Sequence, residues 1–528
     1  MLFNSYIFVL AFLPAVLLGF ALIRSYGIGA AIGWLVAASL FFYAWWNPAY
    51  LLLLGGSIAG NYGIGLLLAR ISPARRLVRL LLAGAGISAN LGLLAQYKYA
   101  NFFIDSLNGI GVAHWQLEPV MLPLAISFFT FQQIAYLADV YRSEASEPSF
   151  LNYCLFVSFF PQLIAGPIVH HREMLPQFMD ARRFRLSQEN TAVGLTLFTI
   201  GLFKKVILAD GVAVYANAVF DATAEGLQPS FFEAWGGTLA YTLQLYFDFS
   251  GYCDMAVGLA RLFGIRLPIN FNSPYKAVNI VDFWRRWHIT LSRFLRDYLY
   301  IPLGGNRHGR RRRYRNLMIT MVLGGLWHGA GWTFVLWGGL HGLYLVFTHA
   351  WHRVRRRLGH DLSRSTLLGR AAARTLTLVA VMLGWVLFRA ADLGTAGRIY
   401  AAMFGTAGIS LPEELRGSLS APAPVLTAML GIRFEGPFPH ELAYWPDGIP
   451  LMLVMAGIAL FTPTAYQWLR FYDPVIPSPY SGTRDLGGGL PAWLAWRPNA
   501  GFALVTLAML LWSLLEMTSV SEFLYFQF

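Results

Sequence analysis

Apolar segments close to twenty residues long recur from the first residues of this chain to its last. A helix of that length crosses the roughly 30 Å of hydrocarbon in a bilayer. Charged residues make up only 13% of the 528 positions, whereas soluble proteins carry about a quarter. A transmembrane β-barrel would show alternating segments of about ten residues instead. The sequence therefore predicts an all-α, polytopic membrane protein.

Ten segments have the length and apolarity of simple membrane spans, and we expect the first to be retained because no Lys or Arg precedes it. They are residues 2–23, 29–46, 49–69, 78–97, 119–140, 190–208, 231–260, 371–389, 449–468 and 499–518. Residues 150–168 contain Pro161 and Pro167 and fit either a span or a re-entrant element buried in protein. Residues 316–351 fit two short helices broken near glycines. We expect about 11 transmembrane helices, with re-entrant and in-plane helices, in one domain over residues 1–528.

Basic residues cluster between the predicted spans. The clusters are residues 70–79, 170–188, 261–315, which ends in the arginine run 310–313, and 353–374. Arginine-rich loops face the cytoplasm, which places the N-terminus outside. The poorly charged segments then face outward, together with the C-terminal tail. These segments are residues 98–118, 209–230 and 405–448. The net charge of +13 is explained by this topology, so we expect no nucleic acid partner.

His328 lies in the apolar sequence GGLWHGAGW, residues 324–332. On a helix, positions three and four away share a face, and here three of those four positions are glycines. Such a face is open to a slender ligand; the alternative is that small residues let a second helix approach. A neutral buried imidazole accepts a proton near neutral pH, and ionisable groups within a membrane are functional candidates. We predict that His328 is a general base, the alternative being a hydrogen-bonded core histidine.

His288 belongs to a basic, amphipathic segment, residues 279–300. Asn279 has the character of a helix N-cap, and apolar residues recur from there at spacings of three and four. His288 falls on that apolar stripe, whereas most of the arginines lie off it. The pattern predicts one helix in the cytoplasmic interface, with His288 pointing inward.

Two acidic residues, Asp248 and Asp254, interrupt an apolar run six residues apart, on different helical faces. Each either holds a partner histidine or arginine or serves packing. His341 repeats the His328 setting more weakly and is interpreted as a core residue. His170 and His171 lie in a basic segment and are expected to be solvated.

The remaining candidates point to no metal centre or disulfide. His349 and His352 have helical spacing but no nearby carboxylate, so zinc is not expected. Cys154 and Cys253 are both in apolar surroundings and are interpreted as core residues. No nucleotide-binding loop or nucleophile elbow is present.

Five sequence stretches together resemble the membrane-bound O-acyltransferase (MBOAT) family, and within it the bacterial branch that O-acetylates exported polysaccharides such as alginate. They are residues 122–142 (LPLAISFFTFQQIAYLADVYR), 159–178 (FFPQLIAGPIVHHREMLPQF), 243–259 (LQLYFDFSGYCDMAVGL), 283–307 (FWRRWHITLSRFLRDYLYIPLGGNR) and 324–342 (GGLWHGAGWTFVLWGGLHG). The similarity extends over the whole chain and is strongest over residues 119–345. Segments 405–448 and 469–498 are expected to vary among members.

The resemblance implies that His328, in LWHG, and His288, in RRWH, are the catalytic residues. It also implies a central funnel in which a cytoplasmic opening and an outer opening meet at the histidine. The residues expected to line the substrate tunnel are Gly324, Gly325, Trp327, Gly331, Trp332 and Trp284. The residues expected to support the site through polar contacts are Asp248, Asp254, Arg285 and Arg286.

The donor implied by the resemblance is a cytoplasmic acyl thioester, either acetyl-CoA or an acyl-carrier thioester, with no permanently bound cofactor and no metal. The implied partner is an extracytoplasmic esterase-like protein that receives the acetyl group, alongside membrane lipids and a polysaccharide synthase complex. The implied location is a bacterial inner membrane. The arginine run 310–313 serves either as a positive-inside anchor or as a docking site for the donor's phosphates.

Two other functions fit a polytopic chain with central polar residues. One is a transporter or flippase of sugars or lipid-linked intermediates, which would be expected to show two similar halves with matching broken helices. The sequence shows no such symmetry. The other is a long-chain lipid O-acyltransferase.

Overall fold

The chain is almost entirely helical. The computed structural model describes residues 1–112, 114–118, 121–144, 147–182, 184–362, 364–410, 416, 423–430, 432–434, 445–478, 491–517 and 523–524. Within them the only sheet is a parallel pair of two-residue strands, β1 (Ile409–Ser410) and β2 (Ile432–Arg433). The predicted all-α class is confirmed. Half of segment 405–448, residues 479–490 of segment 469–498 and most of the C-terminal tail lie outside the described residues.

The helices of the N-terminal part include several that continue directly into π-helical turns. They are α1 (Leu13–Ile23), α2 (Ile28–Ala44), α3 (Tyr50–Arg70), α4 (Arg76–Leu94), α5 (Ala100–Gly109), α6 (Ile126–Tyr141), α7 (Phe150–Ser158), α8 (Phe160–Leu163), α9 (His171–Met179), α10 (Gln188–Phe203) and α11 (Asp210–Ala224). The π-turns are Phe8–Phe12, Ala95–Tyr99 and Lys204–Ala209.

The C-terminal part contains the longest single α-helix. Its helices are α12 (Phe231–Leu262), α13 (Ile280–Trp284), α14 (Ile289–Leu295), α15 (Gly309–His328), α16 (Trp332–Arg357), α17 (Leu367–Arg389), α18 (Leu393–Met403), α19 (Ala423–Leu430), α20 (Trp445–Phe461), α21 (Ala465–Trp468) and α22 (Ala500–Glu516). A π-turn follows α14 at Arg296–Tyr300, and 3₁₀ turns occupy Arg24–Tyr26, Pro274–Lys276 and Arg470–Tyr472.

Two predicted outward loops are instead largely helical. π-turns join α4 to α5 and α10 to α11, so helix continues through Gly109 and Ala224, within the predicted loops 98–118 and 209–230. The predicted spans ended just before Lys98 and two residues before Asp210. Those residues stay in the helix because they find partners inside the protein: Lys98 donates to backbone carbonyls, and Asp210 pairs with Lys205.

Five helical stretches of the described residues are long and apolar enough to cross a membrane. They are Phe8–Tyr26, Tyr50–Arg70, Arg76–Gly109, Gln188–Ala224 and Leu367–Arg389, with shorter apolar helices at Ile28–Ala44, Gly448–Phe461 and Ala500–Glu516. Large apolar side chains on these helices are exposed; Leu52, for example, is 83% exposed, as expected for a surface that faces lipid. The chain is therefore a membrane protein, although these five stretches do not confirm the predicted number of about 11 spans.

The central helix is α12, which is buried on all sides from Ala240 to Leu262. A helix with no solvated face belongs in a protein core, and its two buried carboxylates, Asp248 and Asp254, need partners there. α10 crosses it at backbone contact: a methyl group at Gly201 would lie 2.4 Å from the carbonyl oxygen of Gly251. Glycine at this crossing is required for the two helices to pack.

The segment 150–168 lies inside the protein. α7 has nine residues and reaches only about 14 Å, which is too short for a span. Residues 155–169 are all buried. Of the two predicted alternatives, an element buried in protein fits this segment better than a simple span.

Candidate functional site

His328 is the last residue of α15, and the helix ends there because the backbone at Gly329 becomes extended. The Gly329 position has no room for a side chain, since a methyl group would lie 2.2 Å from the ring of Phe334. His328 is 3% exposed. Its ring centroid lies 5.2 Å from those of both Trp337 and Phe388. The imidazole is thus held in an aromatic environment at a helix end.

His288 lies in a break between α13 and α14, with a left-handed backbone (φ +42°). This conformation is unusual for a residue with a side chain and costs about 1–2 kcal/mol. Two backbone bonds to a neighbouring loop hold it: Ile289 donates to the Asn270 carbonyl at 3.0 Å, and Asn272 donates to the Arg286 carbonyl at 2.9 Å. The prediction of one continuous helix over residues 279–300 is wrong, because these loop contacts replace helical ones. The predicted inward direction of His288 is correct, since the residue is fully buried.

Asn270 determines which nitrogen of His288 carries the proton. Its Oδ1 accepts hydrogen bonds from the backbone N–H of Thr290 at 3.2 Å and from the Thr290 hydroxyl at 2.9 Å. The same oxygen lies 3.1 Å from His288 Nδ1. An amide oxygen only accepts hydrogen bonds, so Nδ1 donates and Nε2 carries the lone pair. Asn270 is fully buried, and its amide nitrogen donates to Cys253 Sγ at 3.2 Å.

The tertiary fold brings the two histidines together. Their ring centroids are 6.3 Å apart, although the residues are forty positions apart in sequence. Both rings also lie near Trp327, at 6.3 Å and 4.9 Å. A small reacting group placed between the two rings could contact both of them.

On one side, His328 borders a cavity of about 80 Å³, here named the small cavity. Its polar side chains are Lys98, Ser127 and His328, and the remaining lining is mostly apolar, with Trp46 at an exposed position. Lys98 is the only lysine, arginine or carboxylate in this lining. The space admits only a few water-sized groups.

Two larger cavities lie along α13, α15 and α16. The first, of about 620 Å³, is named the arginine cavity, and its basic lining residues are Arg285, Arg313, His349, His352, Arg353 and Arg356. The second, of about 410 Å³, is named the apolar cavity because apolar surface dominates its lining, which includes Trp284, Leu295 and Met321. The two share Arg285, Arg313 and His349, so they are adjacent.

Comparisons with known proteins identify the family. The model of the MBOAT, membrane-bound O-acyltransferase family matches residues 139–381. A probable alginate O-acetylase AlgI of Pseudomonas putida is 38% identical over 540 residues, covering 100% of both chains. The chain belongs to the MBOAT family. It is therefore an acyltransferase of the membrane.

Other relatives of this MBOAT protein carry related names. A peptidoglycan O-acetyltransferase of Helicobacter pylori is 48% identical over 439 residues, which cover 78% of this chain and 81% of the relative. A teichoic acid D-alanyltransferase of Bacillus subtilis is 28% identical over 243 residues, covering 44% of this chain and 60% of the relative.

The expected tunnel residues of this MBOAT protein occupy different surroundings. Gly325 does not border open space, because a methyl group there would lie 2.2 Å from the Phe334 carbonyl oxygen of α16. The alternative, a close approach of two helices, applies to this glycine. Gly324 faces Leu295, whose Cδ1 would be 3.1 Å from an added methyl, and Leu295 lines the apolar cavity.

Gly331 and Trp332 do not share a helical face with His328, because α15 ends before them and α16 begins at Trp332. Trp332 is 54% exposed and contacts Phe102 at 5.6 Å, away from the histidines. Trp327 lines the small cavity and Trp284 lines the apolar cavity. The predicted break of residues 316–351 into two helices near these glycines is confirmed. The predicted shared face is wrong for Gly331 and Trp332, because the spacing rule holds only within one continuous helix.

The acidic residues of α12 pair with lysines, and not with the histidine or arginine partners considered from sequence. Lys204 Nζ lies 2.6 Å from Asp254 Oδ2. Lys205 Nζ lies 2.8 Å from Asp248 Oδ1 and 2.8 Å from Asp210 Oδ1. These pairs connect the π-turn at Lys204–Ala209 to α12. The backbone N–H of Leu524 also donates to Asp248, at 3.2 Å.

Arg285 and Arg286 are neighbours in sequence but have different surroundings. Arg285 lines both larger cavities. Arg286 bonds Asp282 at 2.8 Å and the Asn272 carbonyl at 3.3 Å, so it fixes the loop that holds His288. Of the arginine run, Arg313 bonds His349 at 2.9 Å, whereas residues 310–312 are exposed.

His170 and His171 are not solvated. His171 is 5% exposed, and burial lowers its pKa to about 4, with Arg172 lowering it further. His170 Nδ1 lies 3.2 Å from the hydroxyl of Tyr298, which donates to Asp139 at 2.8 Å. The prediction failed because loop composition says nothing about the tertiary contacts that cover these rings.

Proposed function

We propose that this protein transfers acetyl groups from a cytoplasmic acyl thioester, acetyl-CoA, across the membrane for O-acetylation of an exported or cell-envelope polysaccharide. The observation that carries the proposal is a pair of buried histidines 6.3 Å apart, with the small cavity bordering His328 and the larger cavities along α15. The names of the alginate and peptidoglycan relatives support the substrate class. The location that fits is a bacterial inner membrane with the basic loops inside.

On the donor side, the arginine cavity suits the phosphates of coenzyme A, because arginine binds phosphate in a bidentate manner. The apolar cavity then takes the thioester arm. Met321 lines that cavity and precedes His328 by seven residues, a rise of about 10 Å along α15. An arm that passes Leu295 and Gly324 approaches the histidines from this side.

On the acceptor side, the small cavity admits a narrow group that carries a hydroxyl. A free polysaccharide strand is bulkier than the few water-sized groups it holds. This size supports an acceptor presented by an extracytoplasmic, esterase-like partner, which passes the acetyl group to sugar hydroxyls.

In the proposed reaction, the acceptor hydroxyl oxygen attacks the thioester carbonyl carbon while His328 takes the hydroxyl proton. The tetrahedral intermediate collapses, the carbon–sulfur bond breaks, and the thiolate takes the proton from the imidazolium. The products are an acetyl ester and free coenzyme A thiol. His288, with its lone pair on Nε2, accepts a hydrogen bond that orients the reacting hydroxyl or the second imidazole.

The test measures acetyl transfer in vesicles that contain the protein and its partner, with labelled acetyl-CoA on the basic side. His328→Ala should lower kcat at least 100-fold, the usual lower bound for general-base loss, with an unchanged amount of folded protein. His288→Ala should lower it as well. His360→Ala, at an exposed histidine, serves as the control. Full product from His328→Ala would refute the base assignment.

The donor site has a separate test. Arg353→Ala/Arg356→Ala should raise KM for acetyl-CoA about tenfold and leave kcat unchanged, because the phosphate contacts form in ground and transition states alike. Arg310→Ala/Arg311→Ala provides a matched control, since these arginines are exposed and line neither larger cavity. An equal KM for the two double variants would place the donor elsewhere.

A further inference from the structure

Three successive carbonyls at the end of α15 are capped by side chains from another helix. Tyr99 donates its hydroxyl to the Leu326 carbonyl at 3.0 Å. Lys98 donates its ammonium to the carbonyls of Trp327, at 2.6 Å, and of His328, at 3.1 Å. Lys98 and Tyr99 are neighbours at the end of the π-turn Ala95–Tyr99.

This end of α15 differs from the common way in which helices stop. The last carbonyls of a helix lack intrahelical partners, and a glycine in the left-handed conformation usually folds the chain back onto them. Gly329 is extended, with φ −156°, so the chain leaves without making that turn. The carbonyls of Trp327 and of His328 itself are bonded by Lys98, so the position of the histidine depends chiefly on that ammonium, whereas Tyr99 bonds the carbonyl one residue further back.

The charge of Lys98 fits the same arrangement. Among the described residues, the hydrogen-bond partners of its ammonium are two backbone carbonyls and a serine hydroxyl, none of which carries a full charge. The carbonyl end of a helix carries about half a negative charge, and α15 supplies that partial charge at hydrogen-bond distance. Lys98 also contacts Ser127 Oγ of α6 at 3.4 Å, so one ammonium connects α15, α6 and the π-turn.

We propose that Lys98 is a positioning residue for the acyl-transfer reaction: its ammonium clamps the C-terminal carbonyls of α15 and thereby fixes the His328 imidazole beside the small cavity. The proposal rests on the assignment of His328 as the base. Lys98 lines the same small cavity as His328, so a displaced helix end would change the geometry where the acceptor enters. A displacement of 1 Å at a reacting group costs on the order of 100-fold in rate.

The experiment compares Lys98→Met, Lys98→Arg and Lys98→Ala in the complete membrane protein, with kcat and KM measured per folded molecule. Lys98→Met should lower kcat at least tenfold and change KM for acetyl-CoA less than twofold. Lys98→Arg should recover most of the loss, because a guanidinium donates to two carbonyls. Ethylamine added to Lys98→Ala should raise kcat by supplying an ammonium in the vacated space.

Tyr99→Phe is the matched control, because it removes a bond to the same helix end without removing a charge or touching the His328 carbonyl. Its kcat should stay within threefold of the parent. The proposal is overturned if Lys98→Met keeps full kcat per folded molecule, or if Lys98→Arg and ethylamine both fail to restore it. A fully active His328→Ala variant would instead refute the assignment of His328 as the base. Failure of the Lys98 proposal can therefore be distinguished from failure of the proposed function.

Discussion

Gly324 and Gly325 are neighbours on α15 whose surroundings predict opposite responses to alanine. At Gly325 an added methyl group would lie 2.2 Å from the Phe334 carbonyl oxygen and 3.0 Å from the Gly338 backbone. At Gly324 it would meet only the Cδ1 atom of Leu295, at 3.1 Å. The first obstacle is backbone of α16, and the second is the end of a flexible side chain.

The magnitude follows from these contacts. Ordinary van der Waals contact begins near 3.4 Å, so Gly325→Ala requires α15 and α16 to separate locally by about 1 Å. His328 is three residues further along the same helix. A 1 Å displacement at a reacting group costs on the order of 100-fold, or about 2.7 kcal/mol of activation free energy. Overpacking should also destabilise the fold by about 1–3 kcal/mol.

The assay is acetyl transfer from labelled acetyl-CoA in vesicles, with the folded fraction of each variant determined by gel filtration in detergent. Gly325→Ala should lose most of its kcat per folded molecule. Gly338→Ala should show a similar loss of kcat, because its methyl group would lie 2.3 Å from the Met321 carbonyl oxygen. Gly324→Ala should keep kcat within threefold. Equal activity of Gly324→Ala and Gly325→Ala would refute the reasoning that helix contact, and not a passage, requires the glycine at 325.

Three further predictions concern the supporting contacts. Asn270→Ala removes the acceptor that fixes the His288 tautomer and should lower kcat about 10–100-fold; unchanged kcat would contradict that role. Asp248→Asn weakens one of the two carboxylate contacts of Lys205 while Asp210 remains, and should destabilise the protein by about 1.5–3 kcal/mol, measured as a lower Tm; an unchanged Tm would argue against it. Burial lowers the pKa of His171 to about 4, below its unfolded value of about 6.5. The free energy of unfolding should therefore be highest above pH 6.5 and should fall as the pH falls toward 4, by about 2 kcal/mol at pH 5. His171→Gln should reduce this decline, and a Tm that rises on acidification would exclude this role of His171.

Each of these variants has a control of the same residue type, half-buried at Asn108 and exposed at Asp361 and His360. Asn108→Ala alters a bond on an exposed segment, and Asp361→Asn alters an exposed pair with Arg364. His360→Gln changes an exposed histidine. None of the three should affect kcat or Tm.

The two histidines show how much of the site can be predicted from the sequence. An ionisable ring in the sequence GGLWHGAGW is conspicuous because so few polar side chains occur in membrane-length apolar runs. His288 was placed on an inward stripe, and it is buried. The sequence could not predict that the helix breaks beside it, because the break depends on hydrogen bonds from residues 270–272, a separate loop.

Lys98 and Asn270 were not recognised from the sequence. A single lysine near the end of an apolar run is typical of a span boundary, and an asparagine in a loop is typical of a turn. Their roles depend on atoms more than fifteen positions away, the carbonyl of Trp327 and the ring of His288. No local pattern reports such contacts.

The sequence by itself determined the class of this protein, because a chain with so many apolar runs can satisfy its backbone hydrogen bonds in lipid only as helices. It also predicted a central histidine, because an ionisable ring in an apolar run is a functional candidate. Only the tertiary structure decided which glycines contact a helix and which face a side chain, and which residues hold the histidines. The physical reason is that helix crossings and capping contacts are made between distant segments, and their geometry exists only after the chain has packed.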